Sequence, residues 1–579
     1  MKWLVAALLP ACILGCVSAQ AEGSRRKPDV TISVVATNDV HGRLTQLPLF
    51  GGYVQNLRAT RAADGGGVVL LDAGDIFQGT LASNLTEGAA MMRGYRALRY
   101  TAAAIGNHEF DFGPLGPACT PGSPEDDPLG ALRARIADAG FPLLSSNLMQ
   151  RDGAPCTGLL PGLRPSILHE VAGVRIGIVG GMTLEALTAT HAANTGDLSV
   201  AALAPSIEAE ARRLRAQGAQ LIIALVHAGG DCRQVNDPND LSSCDPHAEG
   251  FALAEALRDS KAVDLIIGGH THAFVAHRVA GIPMIESGCN GRAFGRVDLT
   301  LRASDPRQLA VRIFQPHMLC SDALDQPTCT QEHYEGAPVK RDERVLAAIS
   351  DDLKRARDAA EAPLGVEITA PLERSSEVES PLSNLVVDLM RRAVPGAHAA
   401  FNNPGSVRTS LTPGPLTYGR MFEMFPFENR LASLRMRVSD LARVVLNSLQ
   451  SDRGLVALSG VRAAAQCRAG QLAVSLSASD GSALPQNRML TVVTSDYVVA
   501  SGDGLLAGVN LPAERIRIQT GPTMREALIM GLQSYTKGRI DGGDRRIYDK
   551  QRPRLRYTPP RPVQCPGPTV PSVAAQGPT

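Results

Sequence analysis

The chain of 579 residues is too long for a single hydrophobic core, which predicts at least two domains. A hydrophobic content of 44% and a formal net charge of +1 describe a globular chain without the bulk positive charge that nucleic-acid or membrane-surface binding requires. We therefore expect no nucleic-acid partner, and composition leaves the oligomeric state open.

The first predicted element is a secretion signal. Lys2 precedes the apolar run WLVAALLPACILG, which is too short to span a bilayer and has the build of a signal-peptide core. Residues 1–21 are therefore predicted to be a signal peptide. The run ends in ILGC, which resembles the bacterial lipoprotein processing box, so a lipoprotein signal over 1–15 with a lipid anchor on Cys16 is the alternative. Both predict an exported protein, either periplasmic or an outer-membrane-anchored lipoprotein.

Export makes disulfides the expected state of most cysteines. The predicted pairs, in chain order, are Cys119–Cys156, Cys232–Cys244, Cys320–Cys329 and Cys467–Cys565. Cys289 remains and is predicted to be a buried free thiol. None of these cysteines belongs to a CxxC pair, so metal binding by thiolates is not expected.

Short apolar runs of strand character alternate with helical patterns over residues 29–335. The runs are VTISVVA, GVVLLD, AAAI, VRIGIVGG, QLIIALV and VDLIIGG. Between them lie amphipathic segments such as SIEAEARRLRAQG at 206–218, where the final glycine is placed as a helix stop. Strands that alternate with helices predict a layered α/β domain.

The rest of the chain is predicted to contain a linker, a second domain and a tail. A charged segment within 336–362 has apolar residues at helical spacing and is predicted to be a linker helix. Residues 363–540 are predicted to form a second α/β domain, with a helix in SPLSNLVVDLMRRAV and a strand in MLTVVTS. The proline-rich residues 541–579 are predicted to be an extended or disordered tail.

Polar side chains directly follow five of the predicted strands. The motifs are NDVHG at 38–42, GDIFQGT at 74–80, GNHEFD at 106–111, VHAGG at 226–230 and GHTH at 269–272. Because ligands bind at the carboxyl ends of strands in α/β sheets, we expect these motifs to meet at one edge. Imidazoles with carboxylates suit zinc, manganese, iron or cobalt rather than magnesium.

The number of donors exceeds a single tetrahedral site, which predicts two metal ions that share a bridging carboxylate. Such a site stays positive and favours a phosphate ester as its ligand. Asp72 and Glu109 are interpreted as structural hydrogen-bonding groups. The histidines outside the motifs are interpreted as solvent-facing, namely His169, His191, His247, His277, His317, His333 and His398.

The five motifs, in this order, resemble the metallophosphatase domain of the 5′-nucleotidase family, which includes bacterial UDP-sugar hydrolases. The resemblance implies a metallophosphatase-type four-layer αββα sandwich over 29–335 and a smaller C-terminal α/β substrate-binding domain. It implies two divalent metal ions (zinc, manganese or cobalt), with Asp75 bridging both. The implied ligands are Asp39, His41 and His272 for the first ion, and Asn107, His227 and His270 for the second. His108 is implied to stabilise the transition state and assist the leaving group, with Asp111 orienting its imidazole.

The motifs ESPLSNLVVDLM, NPGSVR, PFEN and SDYVVASGDG resemble the substrate-binding domain of the same family. The resemblance implies that Asn403 and Arg408 hold the phosphate or ribose end of a nucleotide. It implies that Phe427 and Tyr497 sandwich the nucleobase and that Asp503 contacts the nucleoside end. From the residues alone, the two aromatic side chains favour core packing, and an arginine in a Gly/Pro loop favours solvation.

The chain departs from the family pattern in its second domain. A loop that is commonly glycine-rich contains Pro404 and Ser406, Ser383 replaces a glycine, and Tyr497 stands where phenylalanine is usual. Val378 occupies the place of an expected arginine, with Arg374 four residues earlier. These departures leave the catalytic motifs intact and indicate either weaker binding of the phosphate or a different substrate.

The sequence thus predicts an exported enzyme that hydrolyses phosphoric ester bonds of nucleotides by attack of water on phosphorus. Nucleoside monophosphates are the foremost predicted substrates, with UDP-sugars and nucleoside di- and triphosphates as further candidates. Two alternatives stay open: a 2′,3′-cyclic nucleotide 2′-phosphodiesterase/3′-nucleotidase, and an inactive surface module that binds nucleotides.

Overall fold

The computed structural model describes residues 29–116, 119–121, 123–302, 305–320, 332–500, 504–558 and 560–565. The predicted signal peptide with Cys16, the thiol of Cys329 and the candidate substrate residue Asp503 lie outside the described residues. Within the described ranges, the helices are all too short or too polar to cross a membrane.

The N-terminal domain is built from strands and helices that alternate along the chain. Its strands are β1 (Val30–Thr37), β2 (Gly67–Asp72), β3 (Ala102–Ala104), β4 (Leu143–Leu144), β5 (Leu148–Gln150), β6 (Ser166–Val171), β7 (Val174–Met182), β8 (Leu198–Val200), β9 (Leu221–His227), β10 (Leu265–Ile267), β11 (Phe274–Val279), β12 (Ile282–Ser287), β13 (Ala293–Arg302), β14 (Asp305–Ile313), β15 (His317–Met318), β16 (His333–Tyr334) and β17 (Ala337–Pro338). Its helices are α1 (Leu47–Ala63), α2 (Leu81–Asn84), α3 (Ala89–Leu98), α4 (Gly130–Asp138), α5 (Ala192–Thr195), α6 (Leu203–Ala216) and α7 (Glu249–Leu257).

Two sheets pack face to face in this domain. The first has the order β14-β13-β1-β2-β3-β4, with β15 also paired to β13, and the second has the order β11-β12-β10-β9-β7-β6. Apolar side chains of both sheets form a shared core between them, for example Val34 and Ile223. Helices α1, α3 and α4 cover the outer face of the first sheet, and α6 and α7 cover that of the second. The predicted four-layer αββα sandwich is confirmed.

The predicted strands are present, and their pairing explains why the motifs meet. β1 runs parallel to β2, and β2 runs parallel to β3. β9 runs parallel to both β7 and β10. The five motif strands therefore divide between two sheets, β1 to β3 in the first and β9 and β10 in the second. The motifs lie where the carboxyl ends of both sheets come together, rather than at the edge of a single sheet.

A long helix, α8 (Glu343–Glu361), occurs within the range predicted for the linker. Its N-cap residue Asp342 accepts a hydrogen bond from the backbone N–H of Arg344 at 3.0 Å, which satisfies one of the free donors at a helix start. The apolar face of α8 packs on the catalytic domain, and its buried Asp352 pairs with Arg93 of α3 at 2.6 Å. Helix α8 is thus fixed to the first domain and leads into the second.

The C-terminal domain contains β18 (Pro363–Ala370), β19 (Ala399–Asn402), β20 (Gly414–Thr417), β21 (Arg430–Arg437), β22 (Ala457–Ser459), β23 (Val461–Arg468), β24 (Gln471–Ala478), β25 (Met489–Ser495), β26 (Ile516–Thr523), β27 (Arg539–Asp541) and β28 (Leu555–Arg556). Its helices are α9 (Pro381–Ala393), α10 (Tyr418–Met424), α11 (Val438–Gln450), α12 (Asp496–Val499) and α13 (Met524–Ser534). The central sheet has the order β22-β19-β25-β21-β26. Helices α9 and α13 pack on one hydrophobic core and α11 on another, which gives a smaller α/β domain as predicted.

The residues predicted to form an extended or disordered tail, from 541 onwards, are partly packed on the C-terminal domain in the structure. Strand β28 pairs in parallel with β23, and the guanidinium of Arg554 makes two hydrogen bonds of 2.8 Å to the carboxylate of Asp388. Cys565 is bridged to Cys467. Residues 541–558 and 560–565 therefore pack on the C-terminal domain. Proline-rich composition indicates an absence of regular structure but carries no information about a single partly buried ion pair or a disulfide.

Three of the four predicted disulfides lie wholly within the described residues, and two of these three are present. The Cys232–Cys244 and Cys467–Cys565 disulfides are confirmed, and Cys289 is a buried free thiol as predicted. The predicted Cys119–Cys156 pair is wrong, because both thiols are free. Cys156 is 2% exposed and packs in the core of the catalytic domain. Cys119 instead lies in a loop whose backbone carbonyl accepts a hydrogen bond from Asn194.

Candidate active site

A first group of four donor side chains lies where β1, β2 and β10 end. Asp39, His41, Asp75 and His272 place one donor atom each within 4.8 Å of one another. The Nε2 atoms of His41 and His272 are 3.0 Å apart. Nε2 of His272 is 3.5 Å from Oδ1 of Asp39, and Nε2 of His41 is 4.0 Å from Oδ2 of Asp75. These atoms converge on a single point between the two sheets.

A second group shares Asp75 with the first. It comprises Asp75, His227 and His270, with Nε2 of His227 at 3.3 Å from Oδ2 of Asp75. The amide oxygen of Asn107 lies 3.1 Å from Nε2 of His227 and 3.1 Å from Nδ1 of His270. The structure therefore brings all seven predicted metal ligands together, with Asp75 common to both groups.

The chemistry of these donors fits divalent metal ions. The outer ring nitrogen Nδ1 of His41 faces the carbonyl oxygen of Gln78 at 3.0 Å, and that of His227 faces the carbonyl oxygen of Ala73 at 2.9 Å. A carbonyl can only accept, so each Nδ1 carries the hydrogen and each Nε2 directs a lone pair into the group. Burial lowers the pKa of His41 to about 4, which keeps this imidazole neutral and able to bind a metal.

The backbone is unusual at these positions. Five of the seven residues have a positive φ angle between 50° and 82°, namely Asp39, His41, Asp75, His270 and His272. Such angles are uncommon for residues other than glycine and are concentrated at functional sites. Close approach also requires Gly106, because a Cβ atom there would lie 2.2 Å from Oδ1 of Asp75.

His108 lies beside the two donor groups but belongs to neither. Its Nδ1 is 2.6 Å from Oδ2 of Asp111, and the other carboxylate oxygen of Asp111 accepts a hydrogen bond of 2.7 Å from Thr190. The backbone N–H of His108 donates to Oδ1 of Asp75 at 2.9 Å. Burial opposes protonation of the imidazole, but the charges of Asp111 and Asp75 outweigh it and raise the pKa of His108 to about 9.

Glu109 is structural, as predicted, and its contacts show how it positions the site. Its carboxylate accepts hydrogen bonds from the backbone N–H groups of Gly106, Asp75, Ile76 and Phe77, at 2.7, 2.8, 2.6 and 3.3 Å. It thereby ties the loop after β2 to the loop after β3. Asp72 is buried and accepts hydrogen bonds from Thr37 and Tyr95.

Some residues of the site were not identified from the sequence. Thr190 orients Asp111 from a loop 79 residues away. The free thiol of Cys289 neighbours His272 and accepts a hydrogen bond of 3.1 Å from the Asn290 amide. No sequence motif marks either contact. Three histidines interpreted as solvent-facing are placed differently. His191 lines the central cavity, and His277 is buried against the carbonyls of Gln234 and Asp237. His317 packs on the rings of Tyr53 and Phe294, with its Nε2 3.0 Å from Glu332.

A cavity of about 370 Å³ joins the two domains. The catalytic domain contributes Asp75, Asn107, His108, Asp111, His270 and His272 to its walls. The C-terminal domain contributes Asn403, Arg408, Phe427, Glu428, Asn429 and Tyr497. Four of the five predicted substrate residues therefore face the same cavity as the donor groups, and the fifth, Asp503, lies outside the described residues. The guanidinium carbon of Arg408 is 5.0 Å from the ring centroid of Phe427.

The residues that depart from the family pattern have the following contacts in the structure. Ser406 donates a hydrogen bond of 2.9 Å to the carbonyl of Asn403 and accepts one from the side chain of Asn402, which braces the loop that is usually glycine-rich. Arg374 donates to the carbonyl of Val407, and Val378 is 57% exposed. Among the described residues that line the cavity, Arg408 is the single arginine.

Comparison with known proteins assigns both halves of the chain. Residues 32–274 match the calcineurin-like phosphoesterase family, and residues 360–508 match the 5′-nucleotidase C-terminal domain. The chain is 25% identical over 544 residues to protein UshA of Yersinia enterocolitica, covering 87% of this chain and 91% of that protein. It is 25% identical over 478 residues to a 5′-nucleotidase of Vibrio cholerae, covering 75% and 79%.

A solved structure shows the same fold. The 5′-nucleotidase precursor from Thermus thermophilus superposes with a TM-score of 0.62 at 22% identity, covering 89% of this chain and 100% of that one. Calcineurin-like phosphoesterases use divalent metal ions, in agreement with the two donor groups. With a metallophosphoesterase domain followed by a 5′-nucleotidase C-terminal domain, the chain belongs to the 5′-nucleotidase family and is a hydrolase of phosphoric ester bonds.

Proposed function

We propose that this chain is an exported dinuclear metallophosphoesterase that hydrolyses nucleotides, with nucleoside monophosphates as its principal substrates. One observation carries the proposal. A single cavity is lined by the metal-donor groups and His108 on one wall and by an arginine and two aromatic side chains on the other. A phosphate that lies against the donor groups leaves its nucleoside next to the aromatic residues.

The residues that hold the metals follow from the two donor groups. Asp39, His41 and His272 would hold one divalent ion, Asn107, His227 and His270 would hold the other, and Asp75 would bridge them. Donors of this kind suit zinc, manganese or cobalt. When bound, the ions polarise the phosphate oxygens and make water more acidic.

His108 is proposed to handle the proton of the leaving group. Its Nδ1 is held by Asp111, so the opposite ring nitrogen, Nε2, remains for the substrate. We propose that Nε2 donates its proton to the ester oxygen as the phosphorus–oxygen bond breaks. Asp111 fixes the orientation of the ring and stabilises its positive charge, and Thr190 fixes Asp111.

The C-terminal domain is proposed to bind the rest of the substrate. Arg408 would contact the phosphate or ribose end because its planar guanidinium matches phosphate oxygens. Phe427 and Tyr497 would stack on the nucleobase, which contributes about 1–3 kcal/mol per base and tolerates different bases. Asn403 lies in the same wall, and Asp503 completes the predicted substrate residues.

The proposal includes export. The leader predicts a signal peptide, with a lipid anchor on Cys16 as the alternative. The two disulfides of the described residues support an oxidising compartment, because such bonds are rare in the cytosol.

Phosphate release from a substrate panel tests the proposal. The panel is AMP, ATP, UDP-glucose and 2′,3′-cyclic AMP, each with metal-loaded protein and with excess chelator. We expect AMP to be hydrolysed fastest and chelator to abolish hydrolysis.

Other outcomes would identify other functions. Faster cleavage of 2′,3′-cyclic AMP than of AMP would favour the cyclic phosphodiesterase. Preferred cleavage of UDP-glucose would favour a nucleotide-sugar hydrolase. Binding of AMP without phosphate release from any substrate would show a non-catalytic nucleotide-binding module.

A further inference from the structure

The cavity wall contains a carboxylate that neither metal binding nor stacking explains. Glu428 lies between Phe427 and Asn429, and all three line the cavity. Its side chain is 19% exposed, so it is largely but not completely buried. An acidic group is unexpected in a site for phosphate esters, because its charge repels the phosphate. It therefore belongs to the nucleoside end of the cavity or has no role in binding.

Arg525 holds this carboxylate in place. Its guanidinium pairs with Oε1 of Glu428. Arg525 is 3% exposed and donates further hydrogen bonds of 3.3 and 3.4 Å to the carbonyls of Phe425 and Phe427. Its guanidinium carbon also lies 4.8 Å from the ring centroid of Phe422. These four contacts hold the guanidinium of Arg525 in one place. The carboxylate of Glu428, which pairs with it, therefore has a defined position.

The pair with Arg525 leaves acceptor capacity on Glu428. A carboxylate offers about four lone-pair positions. Among the described residues, Arg525 is the single hydrogen-bond partner of this carboxylate, and the bond is made to Oε1. Oε2 has no partner among the described residues, so the carboxylate can accept further hydrogen bonds from a ligand. Such a group accepts hydrogen bonds and cannot donate them while it is ionised.

The nucleobases differ in what they offer to a fixed carboxylate. Guanine carries two adjacent donors, N1–H and the 2-amino group, which match the two oxygens of a carboxylate. Adenine and cytosine offer one amino group beside a ring nitrogen that is an acceptor, and uracil offers one N–H between two carbonyl oxygens. Acceptors that face a carboxylate are repelled, and hydrogen bonds to a charged group are the strong ones.

We infer that Glu428, held by Arg525, selects guanine nucleotides by accepting hydrogen bonds from N1–H and the 2-amino group. The inference rests on the proposed function, because it requires that the base lies between Phe427 and Tyr497. It adds a preferred substrate class to a site that stacking alone would leave tolerant of any base.

Substrates that differ by single groups test this in the wild-type protein. IMP lacks only the 2-amino group of GMP, so the ratio of kcat/KM for GMP to that for IMP isolates one hydrogen bond. We expect this ratio to be about tenfold or more for metal-loaded protein, since a bond to a charged group contributes at least one factor of ten. A ratio near one would overturn the inference.

Variants then connect the ratio to Glu428. In Glu428→Gln the side chain keeps its size but loses its charge and presents a donor beside its acceptor, and we expect the ratio to fall to below about threefold. The matched control is Glu423→Gln, an exposed residue outside the cavity wall, which should keep the wild-type ratio. Because each ratio is taken within one preparation, a partly unfolded fraction does not affect it.

The outcomes separate this inference from the proposed function. Metal-loaded protein that releases no phosphate from any nucleotide would overturn both. Hydrolysis of GMP and IMP at equal kcat/KM would overturn only the role of Glu428. A Glu428→Gln variant that keeps the wild-type ratio would show that this carboxylate only neutralises Arg525. If that variant loses activity equally on GMP and IMP but not on 2′-deoxy-GMP, the carboxylate contacts the ribose and the inference is wrong.

Discussion

Replacement of His108 by alanine separates proton transfer from metal binding. The imidazole lies beside both donor groups but contributes to neither. The contact of residue 108 with the bridging carboxylate is made by its backbone N–H, which donates to Asp75 at 2.9 Å and is kept in the variant. We therefore expect His108→Ala to keep the wild-type metal content while losing the proposed proton donor.

The size of the effect follows from the contacts. Loss of a positioned general acid lowers turnover by about 10²–10⁴-fold. Asp111→Asn keeps the 2.6 Å contact but replaces a charge-assisted hydrogen bond by a neutral one. The two kinds of bond differ by about 1–1.5 kcal/mol, so this variant should lose about tenfold. The expected order of activity is wild type, Asp111→Asn and then His108→Ala.

The assay measures phosphate release from AMP and from p-nitrophenyl phosphate, with metal content determined by atomic emission on the same samples. Nitrophenolate leaves without needing a proton, so the deficit of His108→Ala should be much smaller on p-nitrophenyl phosphate than on AMP. His247→Ala, an exposed histidine outside the motifs, is the matched control. Equal deficits on both substrates, or loss of a metal equivalent from His108→Ala, would refute the proposed role.

Three further predictions concern metal binding and stability. Asp75→Asn should lower the metal bound at both donor groups, whereas His272→Ala should remove about one of the two metal equivalents. Loss of the same amount of metal from both variants would contradict a bridging role for Asp75. Glu109→Gln places a donor among four backbone N–H groups and should cost about 1–3 kcal/mol in urea unfolding of the metal-free protein, so an unchanged midpoint would argue against its positioning role. Cys467→Ser opens a loop with a sequence separation of 98 and should lower the free energy of unfolding by about 4–5 kcal/mol. Cys232→Ser opens a loop with a separation of 12 and should lower it by about 3 kcal/mol. A larger drop in melting temperature for Cys232→Ser than for Cys467→Ser would contradict loop entropy as the cause.

Much of the catalytic half could be predicted from the sequence because its signals are local. Each motif strand is a short apolar run that ends directly at a glycine or polar residue, as in the run before Gly106. The division of these strands between two sheets could not be predicted. Sheet membership depends on pairing between distant segments, such as β1 with β13, and leaves no trace in either run alone.

The same reason explains the contacts that sequence patterns missed. Thr190 reaches Asp111 across 79 residues, and Arg525 reaches Glu428 across 97. The Cys119–Cys156 pair was wrong because chain separation indicates which thiols can meet and does not show which do. Local patterns thus identify the side chains that carry chemistry, and only the folded chain shows the side chains that hold them.

Backbone strain shows why this support is extensive around the donor groups. A left-handed conformation costs a residue other than glycine about 1–2 kcal/mol, so the five donor residues with positive φ together cost about 5–10 kcal/mol. That sum is comparable to the whole stability of a domain. The loops offset it by bonding to each other: the N–H of Asp39 donates to the carbonyl of Gly74 and that of His41 to Asp75, at 2.9 and 3.0 Å. Glu109 adds three further bonds to the second loop, from the N–H groups of Asp75, Ile76 and Phe77. Asp39, His41 and Asp75 therefore keep their strained conformations because the loops after β1 and β2 hold each other. Because Asp75 belongs to both donor groups, a substitution that frees one of these loops should relax both groups.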